Sequence, residues 1–511
     1  MHILRHNSLV AALCSLLLGG LATTARAQEI QHTSSQSQQT QAQQDQGQTP
    51  QGQQNEEQPA APIPAYRSPL ASAAGNDDSD EEEAQPLTPD TRALAGAQNL
   101  SLGSLENDHS YWQPHIDISG SVDSNPQEGP NTSNWGTWTS FSGGVDVHRT
   151  SGNSDLTLSY LGGGMIASGT DASNGVMQQL GVVDGFRLRR WTLSFLDQMS
   201  YLPGSGFGFA GLGGAGLPAS GSTGLNTTFG PPEQAVLTGL GQSIANAFST
   251  EADVNLTPRA SLTFVGGYSL LHYSESGLLD STDASFRGGY NYLLTRNDTI
   301  AFLYTYTGIR YGNFNQSIDT HTVQGSFARR ITGRLAFQVA AGPQIALFRT
   351  PIPSGSGSSE SGTSTNASTE LYWSLNMNLR YQLQRTALAL SYNHGVSSGS
   401  GVLGGSVADT VSGSATRQMS RTFSSGLTGG YSRNSGLAIG STTPTSQTFD
   451  YWFAGATFSH PIGRTLGLTL SYQMQYQDSN GSFCIGPACG TSVIRHLISF
   501  GVGWHEKPLL F

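Results

Sequence analysis

The chain has 511 residues, of which only 12% are charged, and its formal net charge is −11. An average soluble protein carries roughly 25% charged residues, so an exterior covered by salt bridges is excluded. Glycine alone supplies 64 residues, and Ser, Thr, Asn and Gln supply much of the remaining polarity. The length suits two or three soluble domains or one large barrel with an uncharged polar surface.

The first 27 residues have the pattern of a secretory signal peptide. A short basic start is followed by the mostly apolar residues 8–22, and Ala25-Arg26-Ala27 provides a small-x-small cleavage site. No later stretch has about 18 consecutive apolar residues, so the sequence offers no membrane helix. We therefore expect an exported chain that is secreted, periplasmic or inserted in the outer membrane as a barrel.

Residues 28–110 form a second segment, in which residues 28–59 have almost no apolar side chains and residues 60–110 continue with Pro and Ala and then an acidic run. Fourteen glutamines lie between residues 28 and 59, and the whole segment contains 13 acidic residues against two arginines. Such a composition cannot bury enough surface to offset its chain entropy, which predicts a disordered tail. We expect a solvated periplasmic spacer; contact with a basic partner is the alternative.

From Tyr111 onward the chain alternates between apolar and polar residues. Between residues 466 and 476, for example, one phase is apolar and the other is uncharged and polar; the apolar phase is Leu466, Leu468, Leu470, Tyr472, Met474 and Tyr476. A period of two puts the two sets on opposite faces of a strand. A soluble sandwich and an outer-membrane barrel both produce this pattern, so the connections must decide between them.

The connections alternate between short arginine-containing turns and long loops rich in Gly, Ser, Asn and Pro. Short turns are predicted at 189–190, 257–259, 296–298, 330–334, 384–385, 418–421 and 461–464. Long loops are predicted at 124–136, 202–244, 349–366, 397–405, 433–445 and 477–491. This asymmetry is typical of outer-membrane barrels. For residues 111–511 we predict an all-β fold, a transmembrane antiparallel up-and-down β-barrel of about 18 strands, with both termini on the periplasmic side.

The predicted strand centres lie near residues 119, 143, 161, 182, 196, 251, 267, 288, 305, 323, 341, 375, 391, 412, 427, 453, 471 and 498. Aromatic residues near strand ends suit the two interfacial girdles of a membrane barrel. The candidates are Tyr111, Trp112, Trp135, Trp138, Trp191, Tyr201, Tyr311, Trp452 and Trp504.

Over residues 111–505 this pattern resembles the porin-like family of bacterial outer-membrane β-barrels. The sequence Asp123-Ser124-Asn125-Pro126, followed by a strand SFSGGVDVHR at 140–149, resembles the β-barrel porins associated with exopolysaccharide systems. The resemblance implies an outer-membrane location and insertion by the barrel-assembly machinery. Many such barrels carry a terminal aromatic signal, for which Trp504 and Phe511 both remain candidates.

No arrangement of residues predicts catalysis, a cofactor or a metal. Residues 395–399 fit G-x-S-x-G, but a nucleophile elbow needs a following helix and this segment continues as a Ser- and Gly-rich loop. The 12 histidines are scattered without metal-binding spacing, and no basic stripe suggests nucleic acid. Cys484 and Cys489 lie in the last long loop, where an oxidising compartment favours a disulfide between them.

Nine charged residues fall on the predicted lumen face, and two interpretations of them stay open. Acidic and basic walls could oppose each other and set up a transverse field, or each charge could pair locally. The acidic candidates are Asp117, Asp123, Asp146, Glu251 and Asp253, and the basic ones are Arg187, Arg287, Arg380 and Arg495.

The longest loop, 202–244, is predicted to narrow the channel. Its first half is too apolar to extend into water, and its second half is predicted to be a helix that begins near Pro231 and carries an apolar stripe. Candidate constriction residues are Phe207, Phe209, Val236, Leu240 and Ile244. Packing over the rim or onto a neighbouring copy is the alternative.

The sequence thus predicts a passive outer-membrane channel for small polar, mostly neutral solutes, because 16–18 strands leave an aqueous channel. Its expected partners are outer-membrane lipid, the insertion machinery, the solutes and a second copy of the chain. The alternatives are export of exopolysaccharide, a surface-anchoring or adhesive barrel, and an outer-membrane enzyme, for which no catalytic group can be assembled.

Overall fold

The computed structural model describes residues 110–126, 135–168, 174–202, 242–274, 278–312, 316–351, 365–398, 403–437, 448–479 and 492–510. The predicted signal peptide and nearly all of the predicted tail lie outside these ranges. So do Cys484, Cys489, Phe511 and four of the candidate constriction residues, namely Phe207, Phe209, Val236 and Leu240.

Every regular element in the described ranges is a β-strand. The strands are β1 (Tyr111–Asp123), β2 (Gly136–Ser151), β3 (Ser154–Ser168), β4 (Gly175–Arg187), β5 (Trp191–Leu202), β6 (Ser243–Thr257), β7 (Ala260–Tyr273), β8 (Ser281–Leu293), β9 (Asp298–Tyr311), β10 (Ser317–Thr332), β11 (Leu335–Pro351), β12 (Thr365–Gln382), β13 (Thr386–Ser397), β14 (Ser406–Gln418), β15 (Ser424–Gly436), β16 (Thr448–Ile462), β17 (Leu466–Ser479), β18 (Val493–His505) and β19 (Leu509–Leu510). The described residues contain no helix that is long and apolar enough to cross a membrane.

The sheet closes on itself. Each strand from β1 to β17 pairs antiparallel with the next, and β18 pairs antiparallel with β1, where Ser119 faces Ser140 of β2 on one side and Gly501 of β18 on the other. The two-residue β19 extends the same seam by pairing with Tyr111 and Trp112. β18 and β19 pair with the same strand, β1, so β19 adds no further strand to the circumference of the barrel. The prediction of an antiparallel barrel of about 18 strands is confirmed.

The connections at one end of the barrel are all short, with two to five residues each. They comprise residues 152–153, 188–190, 258–259, 294–297, 333–334, 383–385, 419–423 and 463–465. The first residue of β1 and the last residue of β18 lie at this same end, the short-turn end. The sequence prediction missed the turn at Gly152, which has a left-handed φ of 55°. This two-residue hairpin lacks the arginine that marks the other turns.

At the other end, the long-loop end, the inner wall is locally apolar. One cluster joins β2, β3, β4 and β5 through Trp138, Leu161, Met165, Met177 and Leu202. A second cluster joins β9, β10 and β11 through Ile309, Tyr311, Ile318, Ala346 and Phe348. Trp138 and Tyr311 were predicted to belong to an outer aromatic girdle, and that prediction is wrong. Both side chains lie on the inner phase of their strands, in the two inner clusters. Near these strand ends aromatic residues occur on both phases, so an aromatic residue there does not by itself indicate the outer face.

Candidate functional site

The polarity of the two strand faces is the reverse of that in a soluble protein, where apolar residues face inward and polar residues face outward. On β1 the inner face carries the buried polar residues Gln113, Ser121 and Asp123, whereas Ile116 is 54% exposed on the outer face. The same alternation places apolar side chains such as Phe302 of β9, 60% exposed, on the outside. The enclosed face of the barrel, the lumen wall, is therefore polar and the outward face is apolar.

Most of the lumen wall is uncharged. Hydroxyl groups pair across neighbouring strands, as Ser119 Oγ and Ser140 Oγ do at 2.5 Å and Ser391 Oγ and Ser412 Oγ do at 2.6 Å. Farther round the wall, Gln324 Nε2 donates to Ser374 Oγ at 3.1 Å. Small hydroxyls and amides are both donors and acceptors, so such a wall can exchange hydrogen bonds with polar solutes without selecting a charge.

All nine charged residues predicted for the lumen lie on the inner phase of their strands. Their part in transport stays a prediction, but their positions bear on the two interpretations of the charges. Five of them lie in groups that contain a predicted lumen residue of opposite sign, and these groups favour local pairing there.

The first group is an ion pair at the barrel seam. Arg495 Nε donates to Asp123 Oδ2 at 2.7 Å, and Nη2 lies 2.5 Å from the same oxygen. The side chains are 2% and 0% exposed. Asp123 Oδ1 accepts the backbone N–H of Asn125 at 2.9 Å, and Ser124 exchanges hydrogen bonds with the backbone of His496. The Asp-Ser-Asn sequence thus fastens the end of β1 to β18.

The second group spans β6 to β9. Glu251 and Arg287 are both cross-strand neighbours of Val265, so one strand separates them on the same row of the wall. Arg287 Nε donates to Thr305 Oγ1 at 3.2 Å, and Asp253 accepts a 2.5 Å hydrogen bond from Thr263 Oγ1. This group places a carboxylate pair beside one guanidinium.

The third group is acidic and includes a histidine that the sequence prediction missed. His115 of β1 lies between Asp117 and Asp146, with Nε2 3.9 Å from Asp117 Oδ2 and Nδ1 3.6 Å from Asp146 Oδ2. His115 is on the inner phase of β1. It is two residues from Asp117, and this spacing in the sequence could have identified it as a lumen residue.

Arg187 of β4 and Arg380 of β12 lie on other parts of the wall. Arg380 is seven strands from β1 counted through β18.

At the long-loop end, the described residues between β13 and β14, namely 398 and 403–405, contact the inner wall. Tyr311 Oη of β9 donates to the carbonyl oxygen of Ser398 at 2.8 Å, and Gln316 Nε2 donates to that of Gly404 at 2.7 Å. Leu403 is buried. Gly405 has a φ of 107°, and a Cβ there would lie 2.4 Å from Ile318 Cδ1. Ser398, directly after β13, therefore contacts β9, four strands away, and Gly404 and Gly405 contact Gln316 and Ile318 at the start of β10.

The predicted constriction from the longest loop is wrong at Ile244. This residue is not in a helix but in β6, on its outer phase, opposite Tyr201 of β5 and His272 of β7. Ile244 continues the period-two pattern of Phe248 and Val254 in β6. This strand pattern, and not the helical spacing from Val236, determines its structure. The other four candidates lie outside the described residues, so their role stays a prediction.

Within the described ranges, no group of three or more His, Cys, Asp or Glu side chains is arranged to hold a metal ion. The G-x-S-x-G sequence begins in β13, and Ser397 Oγ lies 2.8 Å from Ser406 Oγ in the neighbouring strand. The predicted disulfide between Cys484 and Cys489 lies outside the described residues.

No protein-family model and no curated protein matches the chain. Among solved structures it is similar to OpdQ of Pseudomonas aeruginosa, with 10% identity, a TM-score of 0.37 and coverage of 79% of this chain and 100% of that one. It is also similar to OccAB1 of Acinetobacter baumannii, with 11% identity, a TM-score of 0.39 and coverage of 80% and 99%. The ferric-catecholate import receptor Fiu of E. coli K12 matches with 10% identity, a TM-score of 0.39 and coverage of 79% and 82%. TM-scores this low do not establish a common family or function.

Proposed function

We propose that the protein is an outer-membrane, porin-like channel through which small polar, mostly neutral solutes diffuse passively. The observation that carries the proposal is the closed wall of eighteen strands with its apolar residues outside and its polar residues inside. A wall of 16–18 strands is wide enough to leave an aqueous channel, whereas eight strands are filled by side chains.

The outward apolar face supports placement in a membrane. Exposed large apolar side chains occur all round the barrel, for example Phe141, Phe264, Phe302, Trp373 and Phe500. Soluble monomers rarely expose apolar patches larger than a few hundred Å². A closed strand wall also satisfies its backbone groups internally, as a bilayer requires.

The asymmetry of the two ends supports an orientation. Outer-membrane barrels place short turns in the periplasm and long loops outside, so residues 111 and 505 are assigned to the periplasmic side. The predicted tail would then begin in the periplasm. Outer-membrane lipid and the insertion machinery are the expected partners, with Trp504 on the outer phase of β18 as a candidate assembly signal.

The choice of neutral solutes follows from the lumen wall. Uncharged hydroxyls and amides predominate, and the charged groups around Asp123 and Arg287 contain partners of both signs. Local pairing weakens the field that would select an ion by its charge. Export of exopolysaccharide is the alternative transport function, and an adhesive barrel is the alternative of another class. No contact among the described residues favours either of them.

A swelling assay tests the proposal. Liposomes containing the folded protein are placed in isotonic solutions of neutral sugars of increasing size, and of sugar acids matched in size. We expect neutral monosaccharides to enter and larger oligosaccharides to enter more slowly, because passage depends on size. Entry of the sugar acids alone, or no swelling in any sugar, would contradict the proposal.

A further inference from the structure

Two arginines lie on the outer face of the barrel at the long-loop end, away from the lumen. Arg310 of β9 and Arg349 of β11 are both cross-strand partners of Ser317 of β10, so they flank this residue on the same row. Their strand neighbours Ile309 and Phe348 are buried on the inner face. The alternation of a strand therefore turns both arginines outward.

Both guanidinium groups converge on one carboxylate. Arg310 Nη2 lies 2.8 Å from Asp319 Oδ1, and Arg349 Nη1 lies 2.5 Å from Asp319 Oδ2. Tyr306 Oη also donates to Asp319 Oδ1 at 3.0 Å. The Asp319 side chain is only 7% exposed, whereas the arginines are 48% and 49% exposed.

The charges in this cluster do not cancel. One guanidinium would neutralise Asp319, so Arg310, Arg349 and Asp319 together carry one positive charge; the nearby Asp280 carboxylate has His272 as its own partner. A guanidinium has five N–H donors, and the contacts to Asp319 and to the Ile309 carbonyl engage only some of them. Because Asp319 contacts both groups, it holds them side by side, and both side chains remain about half exposed.

Along the barrel axis, the cluster lies at the level at which lipid headgroups are expected. Below it on the same face lie the row of Tyr306 and Ile345, then the row of Tyr304 and Val323, and then Phe302. Ile345, Val323 and Phe302 are exposed apolar residues. Tyrosines of membrane proteins concentrate at the interface, with their rings at the level of the headgroups. The arginines therefore lie just above the apolar belt.

A recess adjoins the cluster. Arg310 lines a cavity of about 470 Å³ whose walls include Ile244, Leu270, His272 and Asp280. The Asp280 carboxylate lies 2.7 Å from His272 Nδ1 and accepts the backbone N–H of Tyr273. The recess gives a bound molecule apolar contact area next to the guanidinium of Arg310.

We infer that Arg310 and Arg349 form a binding site for a phosphorylated lipid of the outer leaflet. A phosphate group matches the geometry and the charge of paired guanidiniums. The acyl chains of the same lipid would lie against Phe302, Val323 and Ile345. The inference rests on the membrane placement and orientation proposed above, but it does not depend on passage of any solute.

Native mass spectrometry tests the site, with the folded full-length protein in detergent and bis-phosphorylated lipid A as the probe. We expect the unmodified protein to retain one lipid, and the R310Q/R349Q variant to bind it at least tenfold more weakly. Dephosphorylated lipid A should bind to the unmodified protein as weakly as bis-phosphorylated lipid A binds to the R310Q/R349Q variant. R329Q is the matched control, because Arg329 is also exposed on the outer face of β10 but lies at the short-turn end beside Asp298.

If the double variant does not fold, as judged by heat-modifiable gel mobility, the single variants R310Q and R349Q replace it, and each should weaken binding severalfold. Equal binding of lipid A by R310Q/R349Q and R329Q would overturn the inference, as would displacement of the lipid by millimolar inorganic phosphate. The conductance of the variants separates the two proposals. A barrel that binds lipid A but does not conduct would refute the channel and leave the lipid site standing.

Discussion

The ion pair between Asp123 and Arg495 joins the first strand of the barrel to the last. It is almost completely buried, and it lies where β1 leaves the sheet. A charge left alone in such a place costs more than the intact pair contributes, because its desolvation is no longer compensated. The pair therefore fixes how the two ends of the chain meet.

The first prediction concerns this pair. Replacing Arg495 with Met leaves the Asp123 carboxylate without its guanidinium, and we expect the free energy of unfolding to fall by about 3–5 kcal/mol. The double variant D123N/R495M should lose less than the sum of the two single variants. Urea unfolding in lipid vesicles measures all four proteins of the cycle. Strictly additive losses would show that the two side chains do not stabilise each other.

A second prediction concerns the charge balance of the lumen. Arg287 is separated from Glu251 by one strand on the same row, and Asp253 follows Glu251 on the inner phase of β6, so R287Q removes the cation from this acidic part of the wall. We expect a weakly selective channel to become cation-selective, measured as a shift of the reversal potential in a KCl gradient. R329Q serves as control because Arg329 faces outward. No difference between the two variants would mean that this group does not act on the permeating solution.

At the scale of single elements, the segment made of residues 398 and 403–405, between β13 and β14, contacts the inner wall near β9 and β10. Tyr311 of β9 and Gln316, directly before β10, donate hydrogen bonds to the carbonyl oxygens of Ser398 and Gly404. Each bond contributes only about 0.5–1.5 kcal/mol. The segment can therefore be released without unfolding the barrel.

A third prediction follows for the variant Y311F/Q316L. Loss of both donors should free the segment 398–405, and we expect its cleavage by added protease to rise severalfold while the strands stay resistant. Channel noise should rise as well, because the freed segment moves in the mouth. Y201F is the control, since Tyr201 bonds Gln242 at another loop. Unchanged protease resistance in the double variant would show that other contacts hold the segment.

Period-two alternation was enough to locate the strands. Each of the eighteen predicted centres lies inside its strand, because an alternation of two is a local property of the sequence. The face of a strand was harder to predict near its ends. Trp138 and Tyr311 continue the apolar pattern on the inner phase, and only the contacts with other strands reveal the two inner clusters.

Contacts between distant segments could not be predicted. Asp123 and Arg495 were both placed on the lumen face, but their pairing depends on closure of the barrel, which brings together residues 372 positions apart. The outward arginines were missed for a similar reason. Arg310, Asp319 and Arg349 belong to three strands, and each appears in the sequence as an isolated charge near a loop.

At the scale of the whole molecule, the barrel is organised from the outside inward. Most of its large apolar residues face outward, polar residues line most of the inner wall, and five of the nine predicted lumen charges lie in groups that contain both signs. On the outer face Arg310 and Arg349 both contact Asp319, and on the inner face Ser398 and Gly404 accept hydrogen bonds from Tyr311 and Gln316. These features together support the proposed channel, with an apolar outer face suited to lipid and a mostly uncharged inner wall.

Single-channel recording in planar bilayers tests the central claim most directly. The folded full-length protein, identified by its heat-modifiable gel mobility, is added to one side of a bilayer in KCl. The account predicts discrete current steps whose size grows in proportion to salt concentration and falls when a large neutral sugar enters the lumen. Folded protein that inserts into the bilayer without producing steps would contradict the account.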